Sequence, residues 1–461
     1  MNLKSGVNDM NLIIKNGTII SDSTEYQADI GIKDGKINTI AQSIEASPDA
    51  EVIDASNKFI IPGVIDAQTH LQETVNEIST ADDFFTGTVS AAFGGVTTII
   101  DTAHQTPGKL LIEAIESRRS IADEKTCVDY SLHCVITDWS NITKKELKEV
   151  PDNLKISSFK MFMSGNFKME DAQIYDVLTE ISNQGVLSIF CENDSLTNFF
   201  INKLKLTDSF KVDSFASIRP NWIEAEAIKR AVSICSASNG NLNLSPISSR
   251  EALQSLKSGK EEGLNIFAET SIPYLLLFKE KYTQPDGQFY LIIPPLRSKI
   301  DSQSLWNAIE EGLIDMVSSN HRSFNRRDIE SNKDDILKIP YGLPGVEYLL
   351  PILFSEGVQK GRISFQSLVS VLCVMPAKIF GLYPRKGAIE IGSDADIVII
   401  DPEKKMILSA ETHHMNVDFC PYEGLEIFGY PITTILRGEI IVDNGKFLGK
   451  KGFGKFIEQV H

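Results

Sequence analysis

The stretch Ile61-Pro62-Gly63-Val64-Ile65-Asp66-Ala67-Gln68-Thr69-His70-Leu71-Gln72-Glu73 is an apolar strand that runs into a polar end. Side chains two apart on a strand point to the same side, so Gln68 and His70 project together where this strand finishes. On either side of it the sequence changes rhythm. Before it, residues 10–21 read as two short strands around Asn16-Gly17, a dipeptide that favours a tight hairpin, and residues 28–40 repeat the pattern around Asp34-Gly35. Residues 1–9 are then only a preceding arm, with the start at Met1 or Met10 left open.

After the quoted stretch comes a repeating order of strand, loop and helix. Strands are expected at 63–71, 96–103, 128–136, 157–163, 187–191, 242–247, 265–270 and 315–319. The helix expected over 171–184 places Ile174, Val177, Leu178 and Ile181 on one face. Eight strands alternating with helices predict a (β/α)8 TIM-like barrel, an α/β fold whose active site lies at the carboxyl ends of the strands. Turn-rich β pattern returns in the last part, with Gly392-Ser393-Asp394-Ala395-Asp396 before the apolar run 397–400. The expected division is 1–62 as the first part of a composite β-sandwich made from both chain ends, 63–385 as the barrel, and 386–461 as the rest of the sandwich and a tail.

Composition removes several function classes. With 461 residues, 42% hydrophobic and 23% charged, the chain can bury one large core and a smaller one. No apolar run approaches the roughly 18–20 residues of a spanning helix, and residues 1–10 lack a signal-peptide apolar core. Six cysteines without CxxC pairs suggest reduced thiols and a cytoplasmic location. A formal charge of −17 repels phosphate backbones, so neither nucleic acid nor membrane is an expected partner.

Several ordered segments then narrow the reading. Ser158-Phe159-Lys160-Met161-Phe162-Met163, Pro294-Pro295-Leu296-Arg297, Gly345-Val346-Glu347, the run from Pro376 to Gly387, Tyr422-Glu423-Gly424 and Gly452-Phe453-Gly454-Lys455-Phe456 are spread over nearly the whole chain. Together with the quoted strand they resemble dihydropyrimidinases and D-hydantoinases, cyclic amidohydrolases of the metal-dependent amidohydrolase superfamily. The resemblance implies the barrel and composite sandwich, and a homo-oligomer, dimer or tetramer. It also implies a centre of two Zn²⁺ ions bridged by a carboxylated lysine and a hydroxide, with four histidines and an aspartate that shuttles a proton.

Carried over position by position, the resemblance places the first two histidines on Gln68 and His70 and the lysine on Lys160. The third histidine falls on Phe190, the fourth on Pro246, and the aspartate on Asn320. The tyrosine that holds the reacting carbonyl falls on Gly165, and two substrate-binding positions fall on Ile293 and Tyr341. Phe190 and Pro246 carry no lone pair, and an amide is a weak neutral ligand. Only His70 and Lys160 keep the family's residue type. The expected cofactor is therefore none, or at best one weakly bound divalent metal such as Zn²⁺, with Lys160 a plain ammonium.

Plainer readings stand beside these. His70 reads either as a metal contact or as a strand-end histidine satisfied by its neighbours. Lys160 is expected to pair with a carboxylate such as Glu192, and His321 to be structural. His104 reads as a loop histidine or a substitute ligand, and His413-His414 as a solvent-facing pair far from the barrel rim. Cys191 lacks a histidine partner for a thiol nucleophile, and the glycines of 449–454 lack the strand and helix of a phosphate loop. Two function classes follow. One is a non-catalytic pseudoenzyme relative with a structural or regulatory role, whose partners would be itself or an intact paralogous amidohydrolase. The other is a divergent hydrolase that opens a small cyclic amide with a one-metal or metal-free site.

Overall fold

The computed structural model describes residues 10–182, 184–206, 211–333 and 335–460. The arm expected over residues 1–9 lies outside the described residues, as does Asn183 near the end of the expected helix 171–184.

The barrel strands run in order through Val64–Asp66, Val96–His104, Asp129–Val135, Ser158–Phe162, Val186–Phe190, Leu242–Leu244, Ile266–Ser271 and Met316–Ser318. Each pairs in parallel with the next. Between the eighth strand and the first, closure falls just beyond the strand ends, where Thr69 and His321 form a parallel bridge and the Ser319 amide donates to Asp66 at 3.1 Å. Strands covered on both faces must be apolar almost throughout, and this is why they read as runs rather than alternations. The second strand, Val-Thr-Thr-Ile-Ile-Asp-Thr-Ala-His, is buried along its length except at His104.

The helix Asp171–Ile181 buries the four residues that its spacing singled out, Ile174, Val177, Leu178 and Ile181. It begins at a capping box in which Gln173 reaches back to the Glu170 amide at 2.7 Å, satisfying a donor that the first turn leaves free.

The first part of the chain builds one further sheet by itself and shares a second with the last part. A four-stranded sheet has the order Lys36–Ala41, Asp29–Lys33, Leu12–Lys15, Glu51–Asp54. A seven-stranded sheet pairs Phe59–Pro62 antiparallel with Ile397–Ile407, so the first and last parts of the chain share a ladder. Ile14, Ile30 and Ile32 of one sheet meet Ile60, Ile397 and Ile435 of the other in one apolar cluster.

The turn at Asp34-Gly35 is the expected hairpin, with φ of 50° and 76°. The turn at Asn16-Gly17 is not. Leu12–Lys15 and Thr18–Ile20 lie in different sheets, and the pair carries the chain around the corner between them. Asn16 takes φ 63° and donates to Asp29 and Asp54, while a Cβ on Gly17 would come within 2.3 Å of Ile60 Cδ1. Close packing of the two sheets, not strand pairing, is what the dipeptide serves.

Where barrel and sandwich meet, the buried Lys386 ammonium lies 2.5 Å from Asp129, 2.6 Å from Asp396 and 3.0 Å from Asp394. Arg437 also pairs with Asp129. Among the described residues, no helix is long and apolar enough to cross a membrane.

Candidate site at the barrel mouth

The first strand ends at Asp66, and the next residues turn Gln68 and His70 into the mouth. Gln68 ties four strand ends together. Its Oε1 accepts from Lys160 Nζ at 2.7 Å and from Ser245 Oγ at 2.8 Å, and its Nε2 donates to Asn320 Oδ1 at 3.0 Å. Lys160 is 2% exposed, and burial lowers its pKa to about 8, with the Glu269 carboxylate opposing that shift. Glu192, expected as its partner, is engaged elsewhere: Arg219 lies 2.9 Å from it and Ser164 donates to it at 3.0 Å. Among the described residues no carboxylate pairs directly with Lys160; its hydrogen bond goes to a neutral amide oxygen.

His70 is buried, and desolvation together with the Arg322 and Lys160 cations lowers its pKa to about 4, although Glu73 pulls the other way. Arg322 donates to its Nδ1 at 3.1 Å, while Glu73 lies farther from that nitrogen, at 3.5 Å. A guanidinium can only donate, so the proton of the neutral ring belongs on Nε2. Glu73 in turn lies 2.8 Å from Arg322 and 2.9 Å from His104. Burial opposes its ionisation, yet Arg322 and then His70 hold it well below the usual carboxylate range. His104 thus belongs to the rim of the mouth through Glu73.

The remaining positions are placed as follows. Phe190 is buried, its ring 6.0 Å from that of Phe162, and Pro246 is buried beside Ser245. Gly165, at φ 80°, offers only its backbone, whose N–H donates to Asp194 at 3.1 Å. Ile293 packs on the main core, and the Tyr341 hydroxyl donates to the Ile336 carbonyl at 2.9 Å. His321 accepts from the Gly345 amide at its Nδ1 and sets Nε2 3.2 Å from buried Asp82. His414 is exposed and also anchored: it stacks on Phe93 at 3.3 Å and sits 2.8 Å from the buried carboxylate of Glu347.

Three groups at the mouth were not singled out from the sequence. His133 bridges Ala67 and Ser158 beneath Gln68, and desolvation, then Lys160, lowers its pKa to about 3. Asp66 is fully buried with Oδ2 unpartnered, and burial raises its pKa to about 6 against hydrogen bonds from Ser319 and Gln68. Arg322 is the third; its one sequence signal was its place directly after His321.

A family model, "Amidohydrolase family", matches residues 226–441. The chain is 37% identical over 457 residues to a D-hydantoinase from Geobacillus stearothermophilus, covering 98% of this chain and 97% of that one. It is 34% identical to a dihydropyrimidinase from Rattus norvegicus, covering 97% and 88%. The crystal structure of a dihydropyrimidinase from Brevibacillus agri superposes with TM-score 0.95 at 35% identity, over 97% of this chain and 98% of that one. The chain belongs to the D-hydantoinase and dihydropyrimidinase family of amidohydrolases.

The two-metal centre implied by resemblance to this family can be tested against the side chains present. They do not fit it. Gln68 bonds to both Asn320 and Lys160, the side chains of Phe190 and Pro246 offer no lone pair, and Arg322 covers the Nδ1 of His70. Among the described residues the only cluster of three acidic, histidine or cysteine donors close enough to share an ion is Asp129, Asp394 and Asp396, away from the mouth, where Lys386 already supplies the positive charge.

Proposed function

We propose that this chain is a non-hydrolytic member of the D-hydantoinase and dihydropyrimidinase family, a cytoplasmic pseudoenzyme that keeps the barrel for a structural or regulatory role. In this reading it acts as a homodimer or homotetramer, with itself or an intact paralogous amidohydrolase as partner. One observation carries the reading. The hydrogen-bonded chain Lys160–Gln68–Asn320 crosses the mouth where the family resemblance calls for a carbamate between two metals. An ammonium held by an amide oxygen is neither a bridging ligand nor a source of metal-bound hydroxide. Gly165 in addition leaves no side-chain donor for the reacting carbonyl, a loss of the kind that costs about 10²–10³ in rate.

The test is hydrolysis of dihydrouracil and of hydantoin by protein purified from a host lacking such enzymes. No ring opening above background is expected. Turnover that His70→Ala abolishes would refute the proposal. The alternative, a divergent cyclic-amide hydrolase with one metal, has its support in the proximity of His70, Glu73 and His104, although Arg322 already occupies Glu73.

A further inference from the structure

We infer that Arg322 bars divalent metal from the barrel mouth, by claiming the lone pair of His70 and one oxygen of Glu73 for its own guanidinium. The inference rests on the non-hydrolytic reading of this mouth and names the residue that enforces it.

Backbone pairing puts Arg322 where it can do this. The His70 N–H donates to the His321 carbonyl at 2.9 Å, and Thr69 forms a bridge with His321, so the residue after His321 emerges beside His70. Gly342 leaves room for its stem: a Cβ there would come within 2.7 Å of Arg322 Cβ and 2.8 Å of its Cγ. The guanidinium nitrogen Nη2 ends 3.1 Å from His70 Nδ1 and 2.8 Å from Glu73 Oε2.

Those two acceptor atoms lie 3.5 Å apart. Donors that share one tetrahedral Zn²⁺ at about 2.1 Å stand roughly 3.4 Å from each other, so the pair has the spacing for an ion but already faces a cation. The other nitrogen of His70 is closed as well. With Arg322 donating to Nδ1, the ring proton sits on Nε2, and a neutral imidazole binds metal only through its bare nitrogen. Moving the proton to Nδ1 to free Nε2 would set one N–H against another. Arg322 thus withholds both ring nitrogens of the one histidine retained from the implied metal set. Access is not the barrier, since Glu73, His104 and Arg322 line a cavity of about 830 Å³. His104, 2.9 Å from the other Glu73 oxygen, is the nearest further donor, although as placed the three do not form a cluster able to share an ion.

The tautomer is readable in the unaltered chain, from the ¹⁵N shifts of its histidine rings at neutral pH, with His70 assigned through His70→Gln. A proton on Nε2 and none on Nδ1 is expected. Calorimetric titration with Zn²⁺, after removal of divalent ions, supplies the second arm. Zinc should bind Arg322→Met at least about tenfold more tightly than the parent, and the gain should vanish in Arg322→Met/His70→Ala. Should Arg322→Met not fold, Arg322→Ala serves. A proton on Nδ1 of His70 in the parent, zinc affinity unchanged by loss of Arg322, or a gain that survives His70→Ala would overturn the inference. Ring opening is read independently: an inactive protein that gains no zinc affinity without Arg322 sinks this inference alone, whereas turnover by the parent sinks the proposed function.

Discussion

Among the described residues two lysines are nearly sealed from solvent, and their surroundings differ. Lys386, 1% exposed, sits among three carboxylates at the junction of barrel and sandwich. Lys160, 2% exposed, donates to an amide oxygen in the barrel mouth. A buried ammonium is costly unless it is paired and hydrogen-bonded. The first arrangement meets that condition within the fold and so belongs to stability. The second does not: its ammonium is held at the open end of the barrel by a neutral amide oxygen, with no carboxylate directly against it among the described residues.

The largest expected effect separates the two directly. Lys386→Met removes one partner from buried carboxylates and should cost about 3–5 kcal/mol in urea unfolding, whereas Lys160→Met should stay within about 1 kcal/mol of the parent. Equal destabilisation by both would erase the distinction.

The junction should also show itself in pH dependence. Burial opposes ionisation of Asp394, yet Lys386 and Lys36 lower its pKa from 3.8 to about 2. A carboxyl lowered by folding contributes stability that is fully present above its ordinary value and is lost as pH falls through the folded one. The stability gap between the parent and Asp394→Asn should thus narrow as pH falls from 3.8 towards 2 in thermal melts. A gap independent of pH over that range would show that the ammonium is not what holds Asp394 ionised.

At the mouth, the combined change Gln68→His, Phe190→His, Pro246→His and Asn320→Asp should restore zinc binding while leaving ring opening weak, since Gly165 still supplies no donor. Such groups act as a unit, so each change alone should do little. Strong metal binding after Gln68→His alone would mean that the other three positions matter less than argued. The smallest effect is expected at Tyr341→Phe, which removes one hydrogen bond to the Ile336 carbonyl and should cost about 1 kcal/mol of stability. A loss several times larger would place Tyr341 in the architecture of the mouth.

The barrel was legible in the sequence because parallel strands covered on both faces leave continuous apolar runs, as at Val96–His104 and Val186–Phe190. The crossing at Asn16-Gly17 was not. A turn dipeptide reports local backbone geometry, whereas the sheet that each flanking strand joins is settled by distant contacts such as Gly17 against Ile60. The same limit applies at the mouth. Gln68, His70 and Lys160 could be named from strand ends and family resemblance, but the pairing of Glu192 with Arg219 joins residues 27 positions apart. Arg322 against His70 spans 252 positions, and no local pattern announces it.

In the proposed reading Lys160 remains an ammonium in a mouth that holds no pair of metals. Metal content measured by mass spectrometry on protein produced in zinc-supplemented medium and passed through a desalting column tests it most directly. The account predicts well under one divalent ion per chain. Two ions per chain, bound with a carbamate on Lys160, would contradict it.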